Sequence, residues 1–148
     1  MANTYTQLYV HIIFAVKNRI PLIKNEFSGE INQYITGIVK NKNQKVISIN
    51  CVSDHIHIFV GIKPNISLSD LVRDIKNNSS RFINRKGWIS GKFNWQEGFG
   101  AFSYGHSQID AVDKYIKNQE YHHKQTSYME EYIKFLLKYA VEYNEKFL

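Results

Sequence analysis

The chain has 148 residues, 43% of them hydrophobic, 14% aromatic and 22% charged, with a formal net charge of +6. That apolar content excludes a disordered chain and suffices for one domain spanning residues 1–148 with a real core, while the basic balance favours polyanionic partners, nucleic acid first. No apolar run approaches the roughly 20 residues of a membrane span, and the N-terminus lacks the basic start and apolar run of a secretory signal.

Residues Thr4 to Lys17 alternate, with Leu8, Val10, Ile12, Phe14 and Val16 on one face, which predicts a long first strand. The opposite face carries Gln7, Tyr9, His11 and Ala15. His11 is a sheet-surface histidine unless a neighbouring strand brings it to other imidazoles. A basic turn with Pro21 follows, then apolar residues at helical spacing from Glu26 to Asn41. Lys45 to Cys51 reads as a second strand whose alternation is interrupted at Val46. Cys51, the single cysteine, fits core packing in a reducing, cytoplasmic setting.

Val52-Ser53-Asp54 is short enough to join that strand to the next as an antiparallel hairpin. The next stretch, Asp54-His55-Ile56-His57-Ile58-Phe59-Val60, is apolar enough to be buried yet carries two histidines. Successive strand residues point to opposite faces, so His55 and His57 share one and Ile56, Ile58 and Val60 the other. Two imidazoles side by side on a rigid strand begin a divalent-metal site; two partly exposed sheet histidines are the plainer alternative.

Ser67 or Ser69 caps a helix predicted to run to about Lys86 and to close at Gly87. Lys76, Arg81, Arg85 and Lys86 lie off its apolar stripe, as a solvated basic face or as contacts for a nucleic-acid backbone. A glycine-marked strand from Gly98 to Tyr104 completes the order strand, helix, strand, strand, helix, strand. That order predicts an α+β, ferredoxin-like βαββαβ sandwich, an antiparallel sheet with helices on one face. Two C-terminal helices follow, one opening at Ser107 with Asp110 in capping-box spacing, the other from Ser127 to about Tyr143. His122 and His123 break the chain between them and are read as a helix end, DNA contacts or extra ligands.

Tyr115 and Gln119 are spaced i, i+4 on the first of these helices and stack on one face. A tyrosine there is more often core than nucleophile, but a glutamine carbonyl is an acceptable hard-oxygen ligand for a magnesium- or manganese-type ion.

Four segments in order carry a resemblance: Tyr9-Val10-His11-Ile12-Ile13-Phe14 with Lys17-Asn18-Arg19; Asp54-His55-Ile56-His57; Trp95 to Ser103; and Tyr115-Ile116-Lys117-Asn118-Gln119-Glu120 followed by His122-His123. Together they resemble the single-tyrosine HUH transposases of insertion-sequence 200/605 type. The resemblance implies His55, His57 and Gln119 as ligands of Mg2+ or Mn2+ and Tyr115 as the nucleophile. It implies cleavage and rejoining of single-stranded DNA at hairpins through a 5′-phosphotyrosine link. It also implies a homodimer with active sites shared between subunits, working in the cytoplasm on the nucleoid. A domesticated repeat-associated nickase, a non-enzymatic nucleic-acid-binding module and a histidine metal hydrolase without a covalent tyrosine are the competing readings.

Overall fold

The computed structural model describes residues 4–119 and 126–148. Its main elements are β1 (Tyr9–Ala15), α1 (Asn25–Asn41), β2 (Lys45–Cys51), β3 (His55–Gly61), α2 (Leu68–Lys86), β4 (Gly100–Tyr104), α3 (Ile109–Lys117) and α4 (Tyr128–Lys138). The strands form one sheet in the order β2-β3-β1-β4, every pair antiparallel. This is the predicted α+β arrangement, with the two histidine-bearing strands, β1 and β3, at the centre.

Alternation dictates what each face buries. Ile12, Phe14 and Val16 join Ile56, Ile58 and Val60 against Ile31 and Ile35 of α1 and Leu71 and Ile75 of α2. On the other face, Ile13, Ala15 and Phe102 meet Tyr128 and Leu136, while Phe59 meets Val112 and Ile116. The C-terminal helices α3 and α4 therefore roof the histidine face, which is a second buried layer rather than a wet surface. Cys51 is buried in the first core.

The sequence boundaries hold where local chemistry sets them. Ser67 Oγ accepts from the Asp70 amide at 3.1 Å, and Gly87 closes α2 in the left-handed conformation at φ +69°. The interruption at Val46 is a bulge in the β2–β3 ladder between Val46 and Ser48. They fail where partners decide. β1 starts at Tyr9 rather than near Thr4, because Tyr9 pairs with Gly61 and Tyr104 at the ends of both neighbouring strands. Ser107 caps nothing: a short 3-10 turn, His106–Gln108, leads into α3, and Gln108 Oε1 accepts from the Gly105 amide instead. α4 stops at Lys138, short of Tyr143, because Ala140 turns left-handed at φ +53° and the Val141 amide reaches back to the Leu136 carbonyl. His122 and His123 lie outside the described residues.

Gly100 is where the roof touches the sheet most closely. A Cβ placed there would lie 2.9 Å from Ile13 Cγ2 and 2.9 Å from Tyr132 Cε1, so Tyr132 of α4 seats on bare backbone. Gly100→Ala is expected to lower stability by about 1–3 kcal/mol, because buried Ile13 cannot yield and α4 must lift. Gly29→Ala on exposed α1, where nothing lies within 4 Å, is the control and should gain about 0.5–1 kcal/mol. Urea unfolding of the two variants checks both signs.

Candidate metal and nucleophile site

β3 delivers His55 and His57 to the roofed face, where both are buried, at 1% and 0% exposure. Their Nδ1 atoms are already engaged. His55 Nδ1 donates to Asp54 Oδ1 at 2.7 Å, and His57 Nδ1 lies 2.6 Å from His11 Nε2 of the adjacent strand. Partners of this kind fix ring orientation and leave Nε2 of each ring directed to the site. His11 thus sits behind His57, fully buried, with the two rings stacked at 4.9 Å.

The second half comes from the roof. α3 carries Tyr115, and Gln119 follows just beyond its end, buried, with Oε1 3.4 Å from His55 Nε2. α4 adds a residue that the sequence reading missed, Glu131. Its Oε1 accepts from His57 Nε2 at 3.0 Å and lies 3.4 Å from His55 Nε2. Its Oε2 accepts from Gln119 Nε2 at 3.2 Å and from the Tyr115 hydroxyl. The available signal was a carboxylate inside the apolar stripe Tyr128, Tyr132, Phe135, where a solvated glutamate does not belong.

This donor set fits a divalent cation. One ligand atom from each of His55, His57 and Glu131 lies within 4.8 Å of the others, and Gln119 supplies a carbonyl oxygen beside them. Two imidazoles with one or two oxygens suit manganese, zinc or magnesium to differing degrees.

The electrostatics follow from burial. Burial works against a charge on His55, but Asp54 and Glu131 outweigh it and raise its pKa to about 9. Burial holds His57 below its ordinary value and His11 well below it. Burial also opposes a charge on Glu131, yet hydrogen bonds from His55 and His57 keep it ionised far below the usual carboxylate range. Tyr115 is pushed strongly upward by burial and by the Glu131 carboxylate, so its phenol stays protonated.

A pH dependence results. His55 has a folded pKa of about 9 against an ordinary 6.5, so its stabilising contribution is complete below pH 6.5 and is lost as pH rises towards 9. His11 and His57, held below their ordinary values, oppose that slope only near pH 6.5, where the unfolded imidazoles are still partly protonated, and add nothing to it above about pH 7.5. Thermal melts in chelator should therefore fall more steeply between those pH values for the wild type than for Asp54→Asn.

The basic residues of α2 are placed elsewhere, on the helix that covers the other sheet face. Lys76 donates to the Gln96 and Gly98 carbonyls at 2.8 and 2.6 Å, and burial lowers its pKa to about 8. Together with Trp95 Nε1, which donates to Ser79 Oγ at 2.9 Å, it ties the Trp95–Gly98 segment to α2. Arg81 and Arg85 are exposed, and Lys86 lies 3.4 Å from Glu30. None of these four touches the histidine site.

Known proteins resemble this chain in sequence and in fold. The family model described as "Transposase IS200 like" matches residues 4–119. The IS200 transposase of Salmonella typhimurium is 28% identical over 128 residues, covering 80% of this chain and 81% of the relative. The ISDra2 transposase TnpA of Deinococcus radiodurans is 23% identical over 118 residues, covering 76% of this chain and 84% of the relative. Among solved structures, a REP-associated tyrosine transposase bound to a REP hairpin superposes with a TM-score of 0.61 at 12% identity, over 83% of this chain and 73% of that one. That likeness is one of fold. The match across residues 4–119 takes in β1, the histidine strand and the Tyr115–Gln119 helix, and the chain belongs to the IS200-like transposase family.

Proposed function

We propose that this transposase cleaves and rejoins single-stranded DNA at hairpin-marked element ends, with Tyr115 as nucleophile and a divalent cation held by His55, His57, Gln119 and Glu131. The supporting observation is convergence: Tyr115, both histidines and Gln119 all meet at one carboxylate, Glu131. A non-enzymatic binding module has no use for that arrangement, and a plain histidine hydrolase has no use for the phenol.

In this reading Tyr115 Oη attacks the scissile phosphorus, the P–O3′ bond breaks, and the leaving oxygen departs as a free 3′-hydroxyl. The 5′ side remains joined to Tyr115. A second 3′-hydroxyl reverses the step, so bond energy is conserved without a nucleotide cofactor. The proton that the phenol loses points at Glu131 Oε2, and its return from there to O3′ completes the leaving 3′-hydroxyl. A bound Mg2+ or Mn2+ would polarise the phosphate and offset the carboxylate charge that now disfavours the phenolate. His11 and Asp54 keep the imidazoles turned to it.

The partner is a single-stranded DNA hairpin, and the setting is the cytoplasm, on the nucleoid. Lys76, Arg81, Arg85 and Lys86 are carried as backbone contacts distant from the cleavage centre. A homodimer with active sites shared between subunits belongs to the same reading. Within one chain Tyr115 already sits at its own histidines, with ring centroids 6.0 Å from His57, so sharing requires α3 and α4 to cross to the partner. A repeat-associated role on chromosomal palindromes is the second reading, favoured by the likeness to a transposase bound to a REP hairpin. Incubating labelled single-stranded DNA from both flanks of the coding region with the protein and Mn2+ tests the proposal. A metal-dependent protein–DNA adduct on a denaturing gel is the expected result, and binding without any adduct would overturn it.

A further inference from the structure

Beside the nucleophile, and walled in part by Tyr115 and Glu131 themselves, lies a cavity of about 490 Å³ to which the chemistry above assigns no occupant. His11, Tyr104, Tyr115 and Phe135 line it, with Lys134 and Lys138 at its edge. Most of its lining is apolar and aromatic. Phe135 stands edge-on to both His11 and Tyr115, at 5.2 and 5.8 Å between ring centroids. Its two lysines are one helical turn apart on α4 and exposed. His11 contributes one further feature: its Nε2 is engaged with His57, while its buried Nδ1 has no hydrogen-bond partner among the described residues.

We infer that this cavity receives the unstacked base of the nucleotide that stays joined to Tyr115 after cleavage. The inference rests on the proposed function, because the tether to Tyr115 is what delivers that nucleotide. Aromatic walls accept the π-face of any base, and a single-stranded substrate has bases to spare for such a pocket. Lys134 and Lys138 match the phosphates entering and leaving it. His11, fully buried behind His57, belongs to the cavity's wall and holds His57 in place; its Nδ1 is closed off from a base edge. Size agrees, since pockets of roughly 300–1,000 Å³ suit ligands larger than a lone base and leave room for sugar and phosphate.

The test needs neither metal nor cleavage, so it fails independently of the transposase reading. In chelator, deoxynucleoside 5′-monophosphates are titrated into the ¹⁵N-labelled protein, with deoxyribose 5-phosphate as the probe lacking a base. Nucleotides are expected to shift the Ala111, Val112 and Lys134 amides, binding at least about tenfold more tightly than the sugar phosphate. Ala111→Trp, which fills the cavity from its α3 wall, should abolish those shifts. Lys134→Glu, on an exposed position that threatens no packing, should weaken them several-fold. Equal binding of nucleotide and sugar phosphate, or shifts confined to other parts of the folded protein, or no shifts at about 10 mM ligand, would overturn the inference. A missing adduct in the DNA assay alongside normal nucleotide shifts would instead sink the transposase mechanism and spare the pocket.

Discussion

Tyr115→Phe is expected to reduce the covalent protein–DNA adduct by at least about a thousandfold while leaving the fold and the metal affinity almost unchanged. The ring keeps its edge contacts with His57 and Phe135, at 6.0 and 5.8 Å between centroids. Only the hydroxyl is lost, and Glu131 retains its bonds from His57 and Gln119. Three other tyrosines compete for the role and make this result informative; one, Tyr121, lies outside the described residues. Tyr128 is buried with its ring 4.8 Å from His55, and Tyr132 lies against Gly100. Phenylalanine at either position should leave the adduct in place. If the adduct survives at Tyr115→Phe and disappears at Tyr128→Phe, the nucleophile has been misassigned.

Replacing His57 with alanine should cost the metal at least about a hundredfold in affinity, and the adduct should fall with it. The loss is more than one ligand. His57 links Glu131 on one side to His11 on the other, so its removal also strands His11 Nε2 and takes from Glu131 Oε1 its 3.0 Å partner, leaving that oxygen only His55 at 3.4 Å. Glu131→Gln tests the carboxylate directly, because the amide keeps the size and one acceptor oxygen but gives up the charge and the second acceptor. We expect it to weaken Mn2+ binding about ten- to a hundredfold in calorimetry. Wild-type affinity in Glu131→Gln would reduce Glu131 to a structural partner of the histidines.

The local and the long-range parts of this molecule were unequally legible. Alternation alone put His55 and His57 on one face and Ile56, Ile58 and Val60 on the other, because strand periodicity is a property of neighbouring residues. Helix spacing alone stacked Tyr115 with Gln119. The role of His11 depended on strand order, since only the placement of β1 beside β3 brings its Nε2 within 2.6 Å of His57. Glu131 stood out locally as a carboxylate within an apolar stripe, but that it meets His55 and His57 depended on how α4 docks, which no window of sequence reports. Lys76 shows the same limit: its charge reads as a hand for phosphate, and only the packing adds a second task, the two carbonyls that its ammonium holds.

The division of the site between sheet and roof has a consequence in time. β1 and β3 are hydrogen-bonded on both edges, so the amides of His57 and Ile58 open only with the whole sheet, on the slowest hydrogen-exchange timescale of the protein. α3 and α4 are short helices that contribute one face each, and their amides exchange through smaller, more frequent openings. The imidazoles therefore form a long-lived anvil. Hydrogen exchange is expected to show the roof opening many times within one lifetime of the folded sheet, which under the proposed strand exchange would let the phenol and its carboxylate leave the imidazoles and return.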